Sequence, residues 1–238
     1  MDENNIKRSY ASKTSHIKKI FICFLLLVFV VNFTSKGFAQ NTALSHSAIK
    51  CEDGKHSYIV YLPPDYDPLK KWPVLFCFDS EGAGELIAML FSSAAINQHW
   101  IVVGSLDVKN DSSVNDNMDA QDALLHDVWH RYSIDPERLY TAGFSGGARM
   151  AYTMAYRAPD NFRGVIPCAD GFGFGEVSKK VAVFHCVGKG DFRYKEVMDA
   201  HKYLTGRGVK SNLKVFEGVH QYPPKEVILE ALDWMSKA

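Results

Sequence analysis

The stretch Arg138-Leu-Tyr-Thr-Ala-Gly-Phe-Ser-Gly-Gly-Ala-Arg-Met150 limits this chain to few folds. Leu139 to Ala142 is a short apolar run that reads as a buried strand, and Ala148 onward reads as a helix. Between them stands Gly143-Phe144-Ser145-Gly146-Gly147, a G-x-S-x-G pentapeptide. Such a pentapeptide also occurs as an ordinary Gly-Ser loop. Strand before and helix after make this one a nucleophile elbow, a turn so tight that the serine is strained and its neighbours must be small. Ser145 would then stand at the end of a sheet. The Gly146 N–H, with a helix N-terminus behind it, would face whatever the serine attacks.

A strand that turns directly into a helix asks for a sheet with helices packed on it, and the rest of the chain supplies the pieces. Strands are expected over Ser57–Leu62, Pro73–Phe78, Trp100–Leu106, Gly164–Cys168, Lys180–Val187 and Asn212–Phe216. Helical spacing is expected over Glu85–Asn97, Met118–Tyr132, Lys195–Thr205 and Pro224–Lys237. The polar stretch Asp107–Asn117 is read as a loop, and Ser133–Pro136 as a turn. Alternation of this kind predicts an α/β fold: a mostly parallel, doubly wound sheet with helices on both faces. Pro73–Phe78 is apolar throughout, as a strand buried on both faces requires. No repeat, second domain or large lid is expected.

The N-terminus reads differently. Lys7, Arg8, Lys13, Lys18 and Lys19 precede the apolar run Ile20–Val31, and Gly37-Phe38-Ala39 follows. A basic region, a short apolar region and a small-residue end describe a signal peptide, residues 1–39, cleaved after Ala39. The run is shorter than the ~20 residues of a spanning helix, so no stable membrane anchor is expected after cleavage. Residue 40 is Gln rather than Cys, so the site is not of lipoprotein type. The expected location is secreted or periplasmic, and residues 40–238 form one catalytic domain. Residues 1–39 hold six of the 27 Lys/Arg and two of the 27 Asp/Glu, so the remainder carries 21 and 25, a net charge of −4. No basic patch is left, and no nucleic-acid partner is expected. Cys77, Cys168 and Cys186 lie in apolar runs and read as core thiols; Cys51 is the fourth in this part of the chain. Without a C-x-x-C pair, neither a metal nor a redox site is expected, and no cofactor is called for.

A serine hydroxyl needs an adjacent base, and a histidine base needs a carboxylate to orient it. In a doubly wound sheet the loops at the carboxyl ends of strands converge. His220 follows the last strand, and the order Ser…Asp…His is the one that accompanies this elbow. Two aspartates compete for the acid: Asp191, after Lys180–Val187, and Asp170, after Gly164–Cys168. Asp191 is preferred and Asp170 held in reserve. For the oxyanion, Gly146 offers one N–H and the Asp79–Gly82 loop the second, assigned to Ser80. Asp79 and Glu81 bring negative charge to that loop.

Four stretches together resemble a known family: Tyr58–Pro63 with the Pro-Asp-Tyr loop after it, Gly143–Gly147, Gly188-Lys-Gly-Asp191 and Gly218-Val-His-Gln-Tyr-Pro223. Along nearly all of residues 40–238 the chain resembles the α/β-hydrolase superfamily. Within it, the likeness is to the secreted feruloyl esterase and polyhydroxybutyrate-depolymerase-like group. The resemblance implies a serine hydrolase with Ser145 as nucleophile, Asp191 as acid and His220 as base. The implied substrates are carboxylic esters, small-molecule or polysaccharide-linked (feruloyl or acetyl groups), or polyesters. Many relatives carry His-Gly where this chain has Asp79-Ser80-Glu81-Gly82. That departure keeps two alternatives in view: a non-catalytic binding protein on the same scaffold, and a serine peptidase of the same fold.

Overall fold

The computed structural model describes residues 47–95, 98–171 and 178–238. The predicted signal peptide and the first residues of the expected domain lie outside them, as does the end of the helix expected at Asn97. The strands are β1 (Ile49–Lys50), β2 (Ser57–Tyr61), β3 (Trp72–Phe78), β4 (Ile101–Ser105), β5 (Ile134–Phe144), β6 (Phe162–Cys168), β7 (Ala182–Gly188) and β8 (Ser211–Phe216). The helices are α1 (Gly84–Ala95), α2 (Val114–Arg131), α3 (Gly146–Arg157), α4 (Tyr194–Gly206) and α5 (Lys225–Met235).

All eight strands join one sheet in the order β1-β2-β4-β3-β5-β6-β7-β8. The β1–β2 and β2–β4 pairs are antiparallel, and every pair from β4 to β8 is parallel. Side chains alternate across a strand, so β3 feeds two cores. Val74, Phe76 and Phe78 pack with Leu124 and Val128 of α2 and Ala151 and Tyr152 of α3. Leu75 and Cys77 face the other way, onto Ile87 and Phe91 of α1 and Ile228 and Ala231 of α5. This is the doubly wound α/β architecture expected from the alternation of elements.

Differences from the expectation are local. Helix α2 starts four residues early, because Ser113 caps it: its hydroxyl accepts the Asp116 N–H at 3.1 Å. The turn expected at 133–136 is absorbed into β5. Trp72 pairs with Ile134 but Val74 with Leu139, so Asp135–Arg138 bulge out of the ladder. The two-residue β1 is too short to leave a periodic signal. All four described cysteines, Cys51 included, are buried and free.

Candidate active site

Three backbones meet at the elbow. A Cβ on Gly143 would lie 2.1 Å from the Gly147 carbonyl oxygen, and one on Gly147 would lie 2.2 Å from the Phe78 carbonyl oxygen. Glycine is therefore the one residue that lets the ends of β3 and β5 touch the first turn of α3. The chain reverses at Ser145, whose φ of 54° and ψ of −124° are costly for a residue with a side chain. Its N–H donates to the Cys168 carbonyl at 2.9 Å, and its carbonyl accepts the Ala148 N–H at 2.9 Å. These bonds hold the hydroxyl at the carboxyl edge of the sheet.

The last strand delivers the histidine by a similar device. A Cβ on Gly188 would collide with the Val219 carbonyl at 2.4 Å, so the loop after β8 lies directly on the end of β7. Lys189 N–H donates to Phe216 C=O and Gly190 N–H to Gly218 C=O, both at 2.8 Å. This stitching brings His220 to Asp191. His220 Nδ1 stands 3.0 Å from each oxygen of Asp191, and Nε2 stands 3.0 Å from Ser145 Oγ. A carboxylate only accepts, so Nδ1 carries the proton and Nε2 is left to accept from the serine. The Asp191 side chain is fully buried and also accepts the Arg193 N–H at 2.8 Å. The imidazole lies between Phe144 and Phe192, with ring centroids 5.0 and 4.4 Å away.

Asp170 is elsewhere. Its buried carboxylate accepts from Arg149 Nε at 2.9 Å and lies 4.0 Å from Arg193 Nη2. Burial raises its pKa, and the two arginines oppose that. It ties the elbow helix to the start of α4 rather than reaching His220.

In the acidic loop after β3 the Asp79 carboxylate is buried and engaged by hydrogen bonds. Asp79 is 2% exposed. Its Oδ1 accepts the N–H groups of Glu81 (2.8 Å) and Ala83 (3.3 Å), and its Oδ2 accepts the Tyr222 hydroxyl at 2.5 Å. Burial, then that hydrogen bond, pushes the Tyr222 hydroxyl well above its ordinary pKa. Tyr222 in turn packs on Phe144, 4.4 Å between centroids. Among the described residues, the N–H groups of Gly146 and Ser80 are engaged by no backbone acceptor. Gly146 opens α3, and Ser80 follows Asp79, whose Cα would lie 2.7 Å from a Cβ on Gly147.

No family model matches the sequence, and no curated protein matches it either; the likeness is one of structure. A fluorophosphonate-binding serine hydrolase of Staphylococcus aureus superposes with a TM-score of 0.64 at 17% identity, over 76% of this chain and 92% of that one. A ferulic acid esterase gives 0.62 at 16% identity, over 80% and 96%. An esterase of Pyrobaculum calidifontis gives 0.65 at 12% identity, over 80% and 83%. The chain has the α/β-hydrolase fold.

Within the α/β-hydrolase fold, Ser145, Asp191 and His220 fall at the ends of β5, β7 and β8. The residues sequence reasoning passed over are Tyr222 and, as a partner of it, Asp79. Tyr222 lies inside the Gly218–Pro223 stretch, but nothing in its spacing tells that it reaches across to the loop after β3. Among the described residues no group of three or more His, Cys, Asp or Glu side chains is arranged to hold a metal ion.

Proposed function

We propose that this chain is a serine hydrolase of carboxylic esters that works through an acyl-enzyme. The observation that carries this reading is the unbroken chain Ser145 Oγ–His220–Asp191, with 3.0 Å at each link. Ser145 attacks the ester carbonyl while His220 Nε2 takes its proton. Asp191 holds the imidazole in the required tautomer and stabilises its cation. The N–H groups of Gly146 and Ser80 receive the charge that develops on the carbonyl oxygen. His220 then hands the proton to the departing alcohol. A water molecule repeats the sequence to release the acid.

The substrate reading is narrower: acyl groups linked to polysaccharide, such as feruloyl or acetyl, or polyester. The histidine stands in an open setting in support of it. Its side chain is 23% exposed, while Phe192 and Val219 beside it are 74% and 60% exposed. That apolar lip suits a bulky ester better than a small polar one. Export directed by residues 1–39 belongs to the same proposal.

Purified protein lacking residues 1–39 should hydrolyse p-nitrophenyl acetate or butyrate. Ser145→Ala should lower kcat by about 10⁴-fold or more. Equal rates for the two proteins would sink the reading. A binding protein on this scaffold would show no difference between them.

A further inference from the structure

We propose that the side-chain amide of Asn110 is a third hydrogen-bond donor to the oxyanion, beside the two backbone N–H groups. The inference rests on the ester-hydrolase reading above and adds a catalytic residue to it. Asn110 touches both of the residues that supply those backbone donors. Its own N–H donates to the Ser80 carbonyl at 2.8 Å. Its carboxamide lies across the Cα of Gly146: a Cβ there would be 1.9 Å from Oδ1, 2.7 Å from Cγ and 2.9 Å from Nδ2. That contact places a planar amide beside the elbow, where any side chain at 146 would have to displace it. Asn110 is solvent-exposed, and among the described residues its amide has no hydrogen-bond partner.

The loop that carries it is held more firmly than a surface loop needs to be. Ser105 Oγ accepts the N–H groups of Asp107 and Val108 at 3.4 and 3.3 Å. The side chain of Asn117, only 4% exposed, accepts the Lys109 N–H at 3.0 Å and donates to the Lys109 carbonyl at 2.8 Å. Lys109 also forms an antiparallel bridge with Glu81 in the loop after β3. The backbone of Lys109 and Asn110 is thus fixed, so the amide is carried on a prebuilt frame and needs only a side-chain rotation to donate to the oxyanion.

In the step concerned, the Ser145 Oγ–carbon bond forms as the carbonyl π pair moves onto oxygen. The serine proton passes to His220 Nε2. The Asn110 NH₂ donates a hydrogen bond to the new oxyanion and keeps both of its own protons. When the tetrahedral species collapses, the C–O bond to the alcohol breaks and the donor returns to water.

The test uses p-nitrophenyl butyrate turnover and the rate of phosphonylation of Ser145 by a fluorophosphonate, whose P=O oxygen gains charge in the same way. Asn110→Ala removes the donor, and Asn110→Asp keeps the shape while replacing donor by acceptor. Both should lose about 10²-fold in kcat, with KM within a few-fold, phosphonylation slowed alongside and thermal unfolding unchanged. Wild-type kcat in Asn110→Asp would overturn the proposal, because the amide would then act by packing alone. A loss confined to KM would overturn it as well. If wild type turns over, Ser145→Ala does not and both Asn110 variants match wild type, this proposal alone falls. If wild type shows no turnover that depends on Ser145, the ester-hydrolase reading falls and takes this one with it.

Discussion

At the scale of the single residue, the site is set by glycines and by one strained serine. Ser145 holds a backbone conformation that costs about 1–3 kcal/mol, and packed surroundings keep it there. Gly143 shows how tightly. Its missing side chain leaves room for the Gly147 carbonyl 2.1 Å from where a Cβ would be, and that neighbour is backbone with no rotamer to turn. Gly143→Ala should therefore cost about 3 kcal/mol or more and lower the melting temperature by roughly 10 °C. Thermal unfolding followed by circular dichroism checks this. A melting temperature equal to wild type would mean that the elbow can open. The need for small residues at 143 and 147 was readable from the motif. The φ of Ser145 and the neighbours that hold it were not, since they belong to three strands far apart in the chain.

At the scale of elements, the Asp79–Tyr222 hydrogen bond joins two loops that each carry part of the chemistry. One follows β3 and contains Ser80; the other follows β8 and contains His220. Asp79 also gathers the N–H groups of Glu81 and Ala83, so the carboxylate shapes the turn it sits in. Tyr222→Phe would leave a buried oxygen of Asp79 without its donor. Stability should fall by about 1–3 kcal/mol in a urea titration, and kcat should fall more than KM rises, because the ring would still pack on Phe144. An unchanged urea midpoint would show that water replaces the hydroxyl. In the sequence, Asp79 looks like a liability for an oxyanion site. Tertiary structure reverses its meaning by giving both carboxylate oxygens hydrogen-bond donors.

At the scale of the whole molecule, the sheet buries a histidine the chemistry does not use. His185 is fully buried in β7, with the Tyr152 hydroxyl 3.5 Å from its Nε2. Burial, with a smaller effect from His201, pulls its pKa down to about 3. The unfolded chain binds a proton there as pH falls through about 6.5, and the folded protein does not until about pH 3. Stability therefore rises with pH in this window, is complete above about 6.5, and is lost as the solution is acidified. The contribution of this one group is on the order of 3 kcal/mol between pH 7 and pH 4. His185→Leu should flatten the dependence of unfolding free energy on pH over that range, whatever it does at pH 7. Denaturant titrations at pH 4, 5.5 and 7 would show this, and an equally steep slope in the variant would assign the acid sensitivity to other groups.

The order of strands and helices after β1, the two-sided burial of β3, the elbow and the histidine after the last strand all follow from the sequence by itself. Each depends on local periodicity or on chain order, and both are properties of a string of residues. Only the tertiary structure decided which aspartate meets His220. Asp170 and Asp191 both follow strands that end at the same edge, so position along the chain does not separate them. The loop after β8 lies on β7 because Gly188 lets it, and that contact brings His220 to Asp191. Asp170 is occupied by Arg149, a residue of the elbow helix. The same holds for the loops at Ser80 and Asn110: their meaning lies in which backbone they touch, and contacts between distant segments form only when the sheet has brought them together.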